Sequence, residues 1–133
     1  MLARIVHCTM RSMTREGAEG LGGYRVWFVT GASRGFGLEI VRQVLERGDA
    51  VVATARDPRR MEEGLAGGRA PLLAIPLDVT DETQAQAAAT RAVARFGRID
   101  VLVNNAGRGL LGAVEEASTE EVRAAFDTNV SGC

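Results

Sequence analysis

A chain of 133 residues, 46% hydrophobic and 25% charged, has the make-up of one ordinary globular domain with enough apolar material for a core. Its formal net charge of -1 argues against nucleic acid or an anionic membrane as the main partner. No apolar run approaches the roughly 18 residues that span a bilayer, and Cys8 and Cys133 lack metal-ligand spacing, so free thiols in a reducing cytoplasm are expected.

Residues 1–23 differ from the rest. Gly17, Gly20, Gly22 and Gly23 crowd their end, and no helical or strand period persists. Arg4, Arg11 and Arg15 precede the first acid, Glu16, as in a transit peptide, but Met10 and Met13 favour a flexible extension or a later translation start. His7, the only histidine, lies in this leader and is given no role.

From Tyr24 onward, strand and helix patterns alternate. Arg25–Thr30 reads as a buried strand and Gly35–Arg47 as a helix with Leu38, Val41 and Leu45 on one face, stopped by Gly48. Ala50–Ala55 is a second strand. Asp57-Pro58 opens a turn and a short helix reaching Leu65. Leu72–Leu77 is a third strand, with Pro76 tolerated near its end. Asp81–Phe96 is an alanine-rich helix capped by Thr80 or Asp81, and Ile99–Val103 is a fourth strand. Ser118-Thr119-Glu120-Glu121 is a capping box for a last helix running toward Asn129. Such alternation means βαβ units and a parallel sheet, an α/β domain over residues 24–133.

The run Thr30-Gly31-Ala32-Ser33-Arg34-Gly35-Phe36-Gly37 sits between the first strand and the first helix. Gly31 permits a tight turn, Gly35 lets backbone approach a diphosphate, and Gly37 lets helix pack on strand. The helix aims its free N–H groups at the anion. A P-loop would need a lysine after the glycines. None is available, because all 16 basic residues are arginine. The second strand ends in Ala55, which cannot accept ribose hydroxyls, and Arg56 follows it. With Arg34, Arg56 offers forked donors that suit a 2′-phosphate, which favours NADP over NAD. Asp57 can pair with Arg59 or Arg60. Asp78 can bond an adenine amino group or cap the next helix. Asn104-Asn105-Ala106-Gly107 ends the fourth strand at the sheet's carboxyl edge, where one amide can tie strand ends together.

Taken together, Thr-Gly-x-x-x-Gly-x-Gly, Asp78-Val79 and Asn-Asn-Ala-Gly make residues 25–132 resemble the short-chain dehydrogenase/reductase family, in its ordinary one-domain type. The resemblance implies a Rossmann-type doubly wound parallel sheet, seen here as an N-terminal half in strand order 3-2-1-4. It places Gly31, Ser33, Arg34, Gly35, Phe36 and Gly37 along the cofactor diphosphate and ribose, with Phe36 where isoleucine is usual. It puts Arg56 at the 2′-phosphate, Asp78 and Val79 at the adenine, and Asn105, Ala106 and Gly107 at the ribose beside the nicotinamide. Asn129, in Phe126-Asp127-Thr128-Asn129-Val130, matches the helix asparagine that holds a water of the proton relay. The implied reaction is hydride transfer between NADP(H), or less favoured NAD(H), and a small carbonyl or alcohol substrate, by an enzyme that usually forms homo-oligomers.

That chemistry uses a serine, a tyrosine and a lysine four residues after the tyrosine. A phenol with pKa near 10 needs the cationic neighbour to work at neutral pH. Tyr24 precedes the first strand and is not that acid, and no lysine is present. The expected reading is therefore the cofactor-binding part of a reductase, truncated after the fourth strand and its helix, inactive alone and marginally stable or aggregation-prone. The alternatives are a non-catalytic dinucleotide-binding module and a degenerate product. NADPH binding separates these two, and a Ser and Tyr-x-x-x-Lys encoded beyond codon 133 would favour the enzyme.

Overall fold

The computed structural model describes Met1, residues 23–59, Met61, Leu65 and residues 71–132. The elements, in order, are β1 (Val26–Val29), α1 (Gly35–Glu46), β2 (Ala50–Ala55), β3 (Leu72–Pro76), α2 (Glu82–Phe96) and β4 (Val101–Val103). A 3-10 turn (Val114–Glu116), helix α3 (Thr119–Phe126) and a π-helical turn (Asp127–Ser131) follow. The expected flexible leader lies outside the described residues except for Met1 and Gly23, as does most of the short helix expected before Leu65.

The strands form one parallel sheet in the order β3-β2-β1-β4. Val29 stands beside Ala53 of β2 and Val103 of β4, so the strands end together at one edge. Both sheet faces are covered, as the near-continuous Val/Ile/Ala runs demand. Alternate residues of each strand divide between two cores. Val26, Phe28, Val52 and Ile75 meet the α2 side, with Ala85, Ala88, Ala89, Ala92 and Phe96. Val29, Val51, Ala53 and Ala55 meet Val41, Val44 and Met61 on the α1 side. Alanine at the buried positions of α2 suits a close approach of helix to sheet. The opposite edge of the sheet is pinned by two aspartates. Asp49 accepts from Arg25 N (2.8 Å) and Trp27 Nε1 (3.0 Å), and Asp100 accepts from Val26 N (2.7 Å) and Arg98 Nε (2.9 Å).

Local details refine the sequence reading. The buried line of α1 is Gly37, Val41 and Val44, while Leu38 and Leu45 are half-buried at its margins. The glycine loop brings α1 in at Gly37, which rotates the contact line by about one residue. Asp81, not Thr80, caps α2, accepting from Gln84 N at 3.0 Å. Ser118 and Glu121 form the reciprocal capping box that starts α3. The last helix does not continue as α to Asn129 but widens into the π turn, whose closing bond runs from Gly132 N to Asp127 O (2.8 Å).

Candidate functional site

Because the strands are parallel, their carboxyl ends collect the segments that the sequence singled out: residues 30–37 after β1, Arg56 after β2, Asp78 and Val79 after β3, and residues 104–108 after β4. Gly31 begins the turn with φ of 64°, and Gly35 follows with φ of 56°, both in the left-handed region. A Cβ on Gly31 would lie 2.8 Å from Ala106 Cα. One on Gly37 would lie 2.3 Å from Gly31 O and 2.5 Å from Asn105 Nδ2. The glycine at position 37 therefore admits both the loop carbonyl and the neighbouring amide. A Cβ on Gly35 would meet nothing within 4 Å, which leaves open space above the loop. Arg34 is the N-cap of α1 and makes no side-chain cap bond, so the amides of the first turn face outward beside an exposed guanidinium.

Asn105 and Thr30 lock this geometry. Asn105 Nδ2 donates to Thr30 O (3.0 Å) and Gly31 O (3.1 Å). Thr30 Oγ1 accepts from Asn105 N (3.0 Å) and Ala106 N (2.9 Å) and donates to Val103 O (3.3 Å), which uses all its hydrogen-bonding capacity. Buried Thr54 repeats the device from β2, donating to Val29 O (3.3 Å), while its own carbonyl accepts from Ala32 N (2.9 Å). Thr30 belongs to the glycine motif, but the sequence assigns no contact to its hydroxyl and gives Thr54 no role. A hydroxyl closing an otherwise apolar strand was the available signal.

Asp78 Oδ1 accepts from Thr80 Oγ1 (2.7 Å) and Thr80 N (2.9 Å), and no bond reaches Oδ2 among the described residues. The hydroxyl of Thr80, then its amide, hold the carboxyl below the usual aspartate range against partial burial, and Arg56 adds a smaller pull. Asp78 is therefore ionised and is not the helix cap. Val79 is buried in the α2-side core, where a Cβ on Gly132 would lie 2.8 Å from its Cγ2. Arg56 is exposed, and Asp57 is bound by Arg59 Nη2 at 2.9 Å. Ser33 is half-buried in the turn, whereas Phe36 is 86% exposed. From the π turn, Asn129 Oδ1 accepts from Arg108 N (2.9 Å) and Asn129 Nδ2 donates to Arg108 O (3.0 Å). This clamp brings residues 106–108 and Asn129 to one place. Tyr24 lies at the far edge, packed against the α2-side core.

The loop amides, the space at Gly35, the two exposed arginines and the ionised Asp78 fit a dinucleotide. Among the described residues, no group of three His, Cys, Asp or Glu side chains could hold a metal, and no helix is long and apolar enough to cross a membrane.

Comparison with known proteins agrees with this geometry. The family model for short chain dehydrogenases matches residues 25–133. An oxidoreductase of Botryotinia fuckeliana is 39% identical over 109 residues, which cover 81% of this chain and 40% of that protein. The chain thus spans about 40% of the length of that curated relative. Among solved structures, an alcohol dehydrogenase from Thermococcus sibiricus, complexed with 5-hydroxy-NADP, superposes with a TM-score of 0.77 at 32% identity over 83% of this chain and 48% of its own. A short chain dehydrogenase/reductase from Burkholderia phymatum, in complex with NAD, gives 0.77 at 31% identity over 82% and 40%.

Proposed function

The chain belongs to the short-chain dehydrogenase family, and from that premise we propose that it is the cofactor-binding part of an NADP-dependent oxidoreductase acting on a carbonyl or alcohol. The observation that carries the NADP preference is at the end of β2. Ala55 gives no acceptor for ribose hydroxyls, Arg56 is exposed, and the next carboxylate, Asp57, is held by Arg59. That edge repels no phosphate and presents a forked donor to one.

In this reading the amides of residues 35–37 and the glycine loop hold the diphosphate, and Arg34 and Arg56 hold the 2′-phosphate. Asp78 Oδ2 accepts from the adenine amine beside the main chain of Val79. Asn105, Ala106 and Gly107 border the ribose next to the nicotinamide, and Asn129 keeps the relay water near the clamped loop. Bound NADP(H) supplies or takes up the hydride. With no lysine to depress a tyrosine pKa, these 133 residues bind cofactor without turning it over. The same reading assigns a cytoplasmic enzyme that works as a homo-oligomer.

Fluorescence titration with NADPH and NADH tests the proposal. NADPH should bind at least tenfold tighter, because a charge-assisted hydrogen bond contributes roughly 1.5–3 kcal/mol. Arg56→Ala should erase most of that margin and leave NADH affinity unchanged. Equal affinities, or a preference for NADH, would overturn the NADP assignment. Binding of neither would overturn the proposed function.

A further inference from the structure

Arg108 is a cation at the carboxyl edge that the cofactor reading leaves unused. Its backbone is held on both sides, N–H and C=O, by the Asn129 side chain at 2.9 and 3.0 Å. It lies two residues beyond Ala106, which packs against Gly31 of the glycine loop, and one beyond Gly107, where a Cβ would lie 3.3 Å from Asn129 Oδ1. The root of this side chain is therefore fixed beside the loop that borders the proposed nicotinamide end of the site, opposite in chain order to Arg34 and Arg56 at the adenosine end. The residue is exposed, and none of the ion pairs within 4.0 Å among the described residues includes it. Its charge is felt weakly at Glu121, whose Oε2 is committed to Ser118 N (3.0 Å) and Ser118 Oγ (2.8 Å). Beyond it, Leu110 and Leu111 are exposed on a segment flanked by Gly109 and Gly112.

A guanidinium on an anchored backbone, with no carboxylate bound to it, loses less freedom on meeting an anion than one on a free loop. We infer that Arg108 is a specificity residue that binds an anionic group, carboxylate or phosphate, on the substrate, so that the substrate is a carbonyl compound or alcohol carrying such a group beside an apolar portion. The inference rests on the proposed cofactor site, since that site is what places Arg108 next to the reacting carbon.

The test compares levulinate, a keto acid, with 2-pentanone, its neutral counterpart, and adds inorganic phosphate. Binding is followed by the NMR shifts of the Arg108 backbone amide and the Asn129 side-chain amide, with and without NADPH. Levulinate should bind at least tenfold tighter than the ketone, and Arg108→Gln should remove the difference while NADPH affinity stays within twofold. Phosphate competing with levulinate would show that charge, not the carboxylate plane, is recognised. Phosphate failing to compete would assign the site to carboxylates. Equal affinity for acid and ketone, or a preference that survives Arg108→Gln, overturns the inference. Loss of NADPH affinity in Arg108→Gln also overturns it, by assigning the cation to the cofactor. If NADPH fails to bind at all, the proposed function falls, and the acid–ketone difference measured without cofactor still decides the role of Arg108.

Discussion

At Gly37 and Gly35 the same substitution should act through opposite causes. An alanine at Gly37 drives its methyl to 2.3 Å from a backbone carbonyl that cannot move without opening the turn. Overpacking of this kind costs typically about 1–3 kcal/mol, so Gly37→Ala should lower the melting temperature by several degrees and abolish cofactor binding. Gly35→Ala meets no atom, and its cost is the left-handed backbone at φ 56° alone, about 1 kcal/mol. Thermal melting of the two variants checks the order; a larger loss at Gly35 would refute it. Asp78 gives a second test at this scale. Its folded pKa is held down chiefly by the Thr80 hydroxyl, so it stabilises the fold above the ordinary aspartate pKa, and that contribution disappears as pH falls through the depressed value. Thr80→Val should move the carboxyl titration of Asp78, read by carbon NMR, upward toward the ordinary range and shrink the acid-side loss of stability. An unmoved titration would mean that Thr80 is not the cause.

The elements differ in what holds them. Helix α2 buries four alanines and Phe96, whereas α3 buries no residue and depends on its own ends. The Ser118–Glu121 capping box satisfies amides that the helix cannot. Ser118→Ala removes a cap worth about 1 kcal/mol, which should speed hydrogen exchange of the α3 amides roughly fivefold while leaving those of β1 and β2 unchanged. A uniform change across the sheet would show that α3 is coupled to the global fold after all. This contrast also explains what the sequence could reveal. Ala50–Ala55 was legible to the residue, and Pro76 fell at the end of its strand, because period and proline chemistry are local. The capping box was legible for the same reason. The π turn was not, since DTNVS has no period of its own and its shape is tied to the bonds that Asn129 makes 21 residues back in the chain. Asn104-Asn105 offers two amides of which one can tie strand ends together, and the structure gives that tie to Asn105. Its partner Thr30 opens the glycine motif, but only the paired arrangement of β1 and β4 shows what its hydroxyl serves.

Across the whole molecule, apolar burial is uneven. The central strands β2 and β1 are largely buried, with Phe28, Val52 and Val51 fully so, whereas the outer strands β3 and β4 are mostly half-buried and β4 pairs with β1 alone among the described strands. Later in the chain, Val122, Phe126 and Val130 recur every four residues and each is at least half exposed, and Leu111 is 98% exposed. Residues at that spacing share one side of the helix and its continuation, and the open edge of β4 separately adds unpaired backbone groups. The hydrophobic effect then favours covering this face by association, with no rearrangement of the two buried cores. The 133-residue chain should therefore self-associate with rising concentration in sedimentation velocity. Phe126→Glu should suppress that association and leave the melting temperature nearly unchanged, because an exposed position outside the core shifts stability by only about 0.5 kcal/mol. Phe28→Ala, by contrast, removes a fully buried ring and should cost about 3–5 kcal/mol, enough to unfold a marginal domain. A parent chain that stays monomeric at every concentration would refute the interface, and a Phe126→Glu variant that melts as early as Phe28→Ala would show that Phe126 contributes to the stability of the fold.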